Sequence, residues 1–187
     1  FEMPDIYGAG ALRWIFFSVN QPGLPKRFDP KNMREVQSRV FRMLWNSYSF
    51  FTTYAVIDNW QSSKTNQGEY ANTVSKNYFD QWILAELYNL INSVNQKLEA
   101  YDVYGGTIEI EQFIDKLSNW YIRLSRDRFW KNENSEDKEN AYTTLHQVLV
   151  VLTKLMAPFT PFLSEEIYRN LTDKDSVHLA KYPEKST

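Results

Sequence analysis

Asn119, Arg123, Arg126 and Trp130 stand at steps of four, three and four. That spacing puts all four on one face of a helix. The residue types suit nucleic acid: a guanidinium offers a planar fork of donors that matches a phosphate, and an indole can stack on a splayed base. Lys131 extends the run. The competing reading is structural, with the arginines paired to carboxylates of a neighbouring helix and Trp130 packed at a helix end. For Arg128, which lies off this face, and for Trp130, the structural reading is the preferred one.

A second basic stretch holds Lys26, Arg27, Lys31, Arg34, Arg39 and Arg42 against only Asp29 and Glu35. Lys31, Arg34, Arg39 and Arg42 are candidates for phosphate contact, and the alternative is a solvated helix face. The chain as a whole carries a net charge of −2, which argues against a dedicated nucleic-acid domain on bulk charge. Two basic segments on a mildly acidic chain nevertheless fit a local phosphate-binding surface.

Other chemistry finds no residues to carry it. His146 and His178 lack a second histidine or a paired carboxylate at metal-ligand spacing. His146 falls within a helix and reads as structural. Gly8 and Gly10 lack the rest of a nucleotide fingerprint. Glu165 and Glu166 are adjacent, so they point to different helix faces. There is no cysteine, hence no disulfide and no thiolate metal site. No catalytic residue, metal or cofactor is expected in this chain.

The elements that must position these residues are helical. Of the 187 residues, 43% are hydrophobic and 16% aromatic, enough to bury a sizeable core. Apolar residues recur at three- and four-residue steps. The pattern predicts helices over 7–20, 33–57, 78–101, 108–130, 138–156 and 161–171. Asp29 or Asn32 caps the second. Gly105-Gly106 supplies the turn before the fourth, whose core stripe reads Ile110, Phe113, Ile114, Leu117, Trp120, Tyr121 and Leu124. Thr160-Pro161 starts the last helix, and Ser176–Leu179 reads as short and extended. Trp14, Trp45, Trp82 and Trp120 are expected in the core, while Trp60 is open to either reading. Short turns between long helices predict an all-α, up-and-down bundle. No apolar run is long enough to span a bilayer. Phe1 to Asp5 has neither a basic leader nor a secretory apolar core, so a cytoplasmic location is expected.

Several runs resemble class I aminoacyl-tRNA synthetases. They are Tyr7-Gly8-Ala9-Gly10-Ala11-Leu12-Arg13-Trp14, Leu44 to Phe51, Asp80 to Leu84, Phe113 to Trp130, Leu155 to Tyr168 and Ser176 to Leu179. The run from Asn119-Trp120-Tyr121 to Phe129-Trp130 is most similar to the isoleucyl members, and the resemblance covers nearly the whole chain. It implies the anticodon-binding helical bundle that follows the family's signature lysine loop. Residues 1–25 would join it to a catalytic domain, 26–175 would form the bundle, and 176–187 would begin a C-terminal junction. The implied partners are tRNA(Ile) and the enzyme's own catalytic domain, with ATP and Mg used by that domain. The family's two ATP-handling signatures do not occur in this sequence, so this chain alone is expected to be non-catalytic. Gly10 stands where the family usually has Asp, which leaves the first helical turn without a carboxylate. A valyl, leucyl or methionyl relative, or a helical protein-interaction module, are the alternatives.

Overall fold

The computed structural model describes residues 6, 8–21, 23–25, 29–62, 75–131 and 135–184. Lys26 and Arg27 of the second basic stretch lie outside them. Among the described residues every regular element is helical. The order is α1 (Ala9–Ser18), α2 (Pro30–Val36), a π-helical segment (Gln37–Arg42), α3 (Met43–Ile57), α4 (Tyr78–Glu99) and α5 (Val103–Asp115). A second π-helical segment (Lys116–Ile122) follows, then α6 (Arg123–Trp130), α7 (Glu136–Met156), α8 (Pro161–Thr172) and a 3₁₀ turn (Val177–Leu179). The all-α bundle expected from periodicity is the observed fold class.

The caps show why the helices start where they do. Asp29, Asn77, Asp102 and Ser135 each accept a hydrogen bond from a backbone N–H of the first turn they precede. α1 has neither a side-chain cap nor an acidic residue in its first turn. Gly10 has a packing role instead, since a Cβ there would sit 3.0 Å from the Phe41 ring. Gly105 and Gly106 do not form the turn the sequence suggests. They lie inside the first turn of α5, and the reversal is made by Ala100 to Asp102, with Tyr101 in the left-handed region at φ 57°. Pro161 occupies the first turn of α8 as expected, but the Thr160 hydroxyl does not cap it and turns back to the Met156 carbonyl. Ser176–Leu179 closes as a capped 3₁₀ turn rather than an extended strand.

The second π segment corrects the expected core stripe. Ile110, Phe113, Ile114, Leu117 and Tyr121 are buried, but Trp120 is 58% and Leu124 49% exposed. A π segment accommodates an extra residue in the helical turn and so shifts the helix face that follows it. Ile122 and Phe129 take the inward positions instead. Trp45 is likewise exposed rather than core, whereas Trp14 is wholly buried and Trp82 packs half-buried against the core. Trp60 stacks on Tyr142 at 5.5 Å and donates to Glu139 at 2.8 Å.

One cluster of buried residues gathers side chains from α1 and from α3 through α8, with Val36 of α2 packed against it. Leu149 in α7 is fully buried within it. Leu149→Ala is expected to destabilise the bundle by about 2–5 kcal/mol, the range for a buried leucine that leaves a cavity, as read by chemical denaturation. His146, on the same helix, contacts the Leu171 carbonyl at 2.9 Å through Nε2. Burial holds its pKa below the ordinary 6.5, although the carbonyl contact pulls the other way. The fold thus prefers the neutral ring. That stabilisation is complete above pH 6.5 and is lost as pH falls through the lowered folded value. The melting temperature of wild type should therefore drop on acidification more than that of His146→Gln.

Candidate nucleic-acid interface

Two long helical rods run side by side in the same direction. Arg39 lies beside Glu111, Phe50 packs on Phe129, and Tyr54 meets Trp130. One rod is α2–α3 and the other α5–α6. α4 runs antiparallel to the second rod, with Glu86 against Lys116 and Asp80 against Arg128.

On α6 the solvent face carries Arg123, Arg126 and Trp130, all exposed, and Asn119 is exposed one turn earlier. Arg123 and Arg126 form no ion pair among the described residues, not even with Asp127 four positions after Arg123. Asn119 donates to Asp115 at 2.7 Å. Trp130 is 53% exposed, yet its indole N–H is fixed on the Tyr54 hydroxyl at 2.7 Å. The hydrogen bond fixes the ring at its N–H edge while about half of the residue stays exposed. Tyr54 is not among the candidates that the sequence nominates, because the pair joins residues 76 positions apart. Lys131 is exposed, and its carbonyl accepts from Lys138 Nζ at 2.7 Å. Trp120 and Leu124 add apolar surface to the same outer side of the bundle.

On the other rod Lys31, Arg34, Arg39 and Arg42 are exposed. Asp29 accepts from the Lys31 N–H at 2.8 Å, which fixes the start of that helix. Arg39 reaches Glu111 at 3.7 Å from a largely exposed position, a pairing worth little in water. The two basic groups do not meet at one point. Arg39 is level with Glu111, twelve residues before Arg123, which corresponds to roughly 18 Å along a helix.

Arg128 behaves differently from its neighbours. It is buried, and its Nη1 and Nη2 donate to the two carboxylate oxygens of Asp80 at 2.7 and 2.8 Å. Its Nε donates to Asp137 at 2.9 Å, and Nη2 also reaches the Asp137 carbonyl at 2.8 Å. Tyr121 and Ser75 donate their hydroxyls to Asp80 at 2.8 and 2.6 Å. Burial and the Asp80 carboxylate push the Tyr121 phenol well above its usual range. Burial opposes the charge on Arg128, but the hydrogen bonds and charge of Asp80, aided by Asp137, outweigh it and tighten its hold on the proton. A second cluster lies nearby, where Lys138 pairs with Asp58 at 2.6 Å and Tyr142 donates to Asp58. Burial raises the Asp58 pKa, and the Lys138 and Tyr142 hydrogen bonds more than reverse it. These clusters are structural, and no group of three or more metal-ligating side chains occurs among the described residues.

A basic, partly aromatic helix face on an all-α bundle is compatible with several families. The family of the anticodon-binding domain of tRNA ligase matches residues 80–187, more than half of the chain. The chain belongs to that family. Its matched part runs from Asp80 in α4 through α8 and so contains Arg123 and Arg126 together with Asp80, Tyr121, Arg128 and Asp137 of the buried cluster. Similar proteins include the isoleucine--tRNA ligase of Clostridium novyi (strain NT), 44% identical over 190 residues and covering 98% of this chain. Those of Dehalococcoides mccartyi (strain CBDB1) and Thermus thermophilus are 47% and 42% identical, covering 96% and 95%. The chain spans only 18%, 18% and 17% of these relatives' lengths. Among solved structures, the LeuRS of Agrobacterium radiobacter K84, in a ternary complex with tRNA and LeuAMS, superposes with a TM-score of 0.69. That match is 19% identical and covers 97% of this chain and 20% of the other, so it speaks to the fold of this anticodon-binding domain. No helix among the described residues is long and apolar enough to cross a membrane.

Proposed function

We propose that this anticodon-binding domain holds the anticodon stem-loop of tRNA(Ile) for an isoleucine--tRNA ligase whose catalytic part lies outside this sequence. The observation that carries the reading is the exposed face of α6, where Arg123 and Arg126 present guanidinium groups that form no ion pair among the described residues, beside the anchored ring of Trp130. The arginines take phosphates and Trp130 takes an unpaired base. Lys31, Arg34, Arg39 and Arg42 extend the phosphate track along the parallel rod, with Asn119 and Lys131 at its margins. Similarity to isoleucine--tRNA ligases over nearly the whole chain supports the choice of isoleucine over valine, leucine or methionine. In the parent, ATP with Mg serves the catalytic domain in the cytoplasm. Residues 1–25 are the link to that domain, 26–175 the binding bundle, and 176–187 the start of the junction that follows.

The test is a titration of the isolated chain with tRNA(Ile) and a non-cognate tRNA at several salt concentrations, beside an acidic helical protein of equal size. Binding that exceeds the control and falls steeply with salt is the expected result. Affinity no better than the control at low salt would remove the RNA role. The same preparation should leave isoleucine-dependent ATP–pyrophosphate exchange at background, because the sequence holds neither ATP-handling signature of the synthetases it resembles. Clear exchange by the pure chain would overturn that expectation.

A further inference from the structure

We infer that an apolar strip along the seam between α4 and the α5–α6 rod is a docking surface, and that its occupant is an apolar segment of the parent ligase following Pro183. This rests on the proposed function, which supplies the parent. The observations behind the strip itself are separate from those behind the RNA face.

The strip follows from one ion pair. Glu86 on α4 meets Lys116 in the second π segment at 2.6 Å. Trp82 and Phe79 stand four and seven residues before Glu86 and continue its stripe along α4. Trp120 and Leu124 stand four and eight residues after Lys116 and continue its stripe along the rod. The two elements are antiparallel, so both stripes run the same way from the pair. Trp82 comes level with Trp120, and Phe79 with Leu124. The far end is held where Asp80 accepts from Tyr121 and Arg128. Trp120 is 58%, Leu124 49% and Phe79 39% exposed, and Trp82 is half-buried.

Single exposed apolar side chains are ordinary, but a contiguous strip of them marks an interaction site. Within this one no cation is open to phosphate, since Lys116 is held by Glu86. Arg123 and Asp127 stand at its border with the RNA face, three residues after Trp120 and Leu124. The border thus carries one charge of each sign. Such a surface gains by excluding water against another apolar surface. A free partner needs about 1,200–2,000 Å² of buried surface for a stable complex, which four partly exposed side chains do not supply. A tethered segment needs less, because its linker fixes a high effective concentration. Similar ligases leave ample chain for it, since this sequence spans only 17–18% of their lengths. The described chain also finishes on α4, where Asn95 donates to the Pro183 carbonyl at 2.9 Å. Asn95 lies thirteen residues beyond Trp82, roughly 20 Å along the helix. About six or seven extended residues cover that distance.

The sequence has no cysteine, so Leu124→Cys places a single thiol in the strip. Maleimide should label it readily in the isolated chain. In the parent with the same replacement, followed at position 124 by peptide mass spectrometry without tRNA, labelling should slow by about tenfold or more. Phe79→Cys repeats the measurement from α4 should the first variant fail to melt cooperatively. Replacing Trp120 and Leu124 together by serine should let a protease release the bundle from the parent faster. The same double variant of the isolated chain should keep its tRNA affinity. Labelling as fast in the parent as in the isolated chain leaves the strip uncovered and overturns the inference. Protection that needs tRNA, or tRNA affinity lost in the serine variant, assigns the strip to RNA and overturns it as well. Protection in the isolated chain that grows with concentration assigns it to a second copy, with the same consequence. If the isolated chain binds no tRNA, the RNA reading falls while labelling of the parent still decides the docking.

Discussion

Arg128→Met should destabilise the domain by about 3–5 kcal/mol, the cost of breaking a buried ion pair by removing one partner. The size follows from what is left behind. Asp80 is completely buried, and without Arg128 its side-chain partners among the described residues are the Tyr121 and Ser75 hydroxyls. Two hydroxyl donors do not compensate a carboxylate charge out of water. Replacing Asp80 by leucine as well removes that stranded charge, and the double variant should regain much of the loss, because apolar substitutes for a buried pair are often neutral. Lys116→Met serves as the comparison. Lys116 pairs with Glu86 at 2.6 Å, but both side chains are substantially exposed, so its loss should cost no more than about 1 kcal/mol. Denaturant titrations of the four proteins give the numbers directly. If Arg128→Met costs no more than Lys116→Met, the cluster does not hold α6 as described. With a total stability of about 5–15 kcal/mol for a domain, the single replacement is large enough to leave a sizeable unfolded fraction in a marginal case.

The helices themselves are legible in the sequence because amphipathic periodicity survives in each of them, and Asp29, one of the two caps the sequence suggests, does cap its helix. Trp120 and Leu124 depart from the periodic reading for a single reason. A π segment has no sequence signature of its own, and an apolar stripe extrapolated at a constant 3.6-residue period runs straight through it. The Gly105-Gly106 pair misleads in a similar way. Glycine is a strong turn signal, but Asp102 caps the helix just before it and carries the chain through. The structural reading of Arg128 is correct in kind. Its partners are not legible, since Asp80 lies 48 positions away and is brought near only by the antiparallel packing of α4. The grouping of Arg123, Arg126 and Trp130 survives the π segment because all three lie beyond it and keep their mutual phase. That the face points outward is already in its spacing from the Leu117, Tyr121 and Leu124 line, and the shift made by the π segment leaves all three exposed.

Replacing Arg123 and Arg126 together by glutamine is expected to weaken tRNA binding and to make the dependence of log affinity on log salt shallower by roughly two units, one for each phosphate no longer engaged. Both side chains are exposed and neither forms an ion pair among the described residues, so the melt should scarcely change. This separates the pair from Arg128, whose loss acts on stability first. Cognate and non-cognate tRNA should lose affinity alike, because phosphate contacts carry no sequence information. Trp130→Ala belongs in the same series and should behave differently. Removing a stacked ring costs about 1–3 kcal/mol and leaves the salt slope unchanged, since no counterion is released by stacking. Tyr54→Phe removes only the hydroxyl that fixes the indole, so it should reproduce part of the Trp130→Ala loss while retaining the ring. A double arginine variant that melts as wild type and binds tRNA with the same affinity and slope would clear α6 from the RNA surface. Lys31, Arg34 and Arg42 on the parallel rod would then be the phosphate track, and the aromatic effects of Trp130 and Tyr54 should vanish with it.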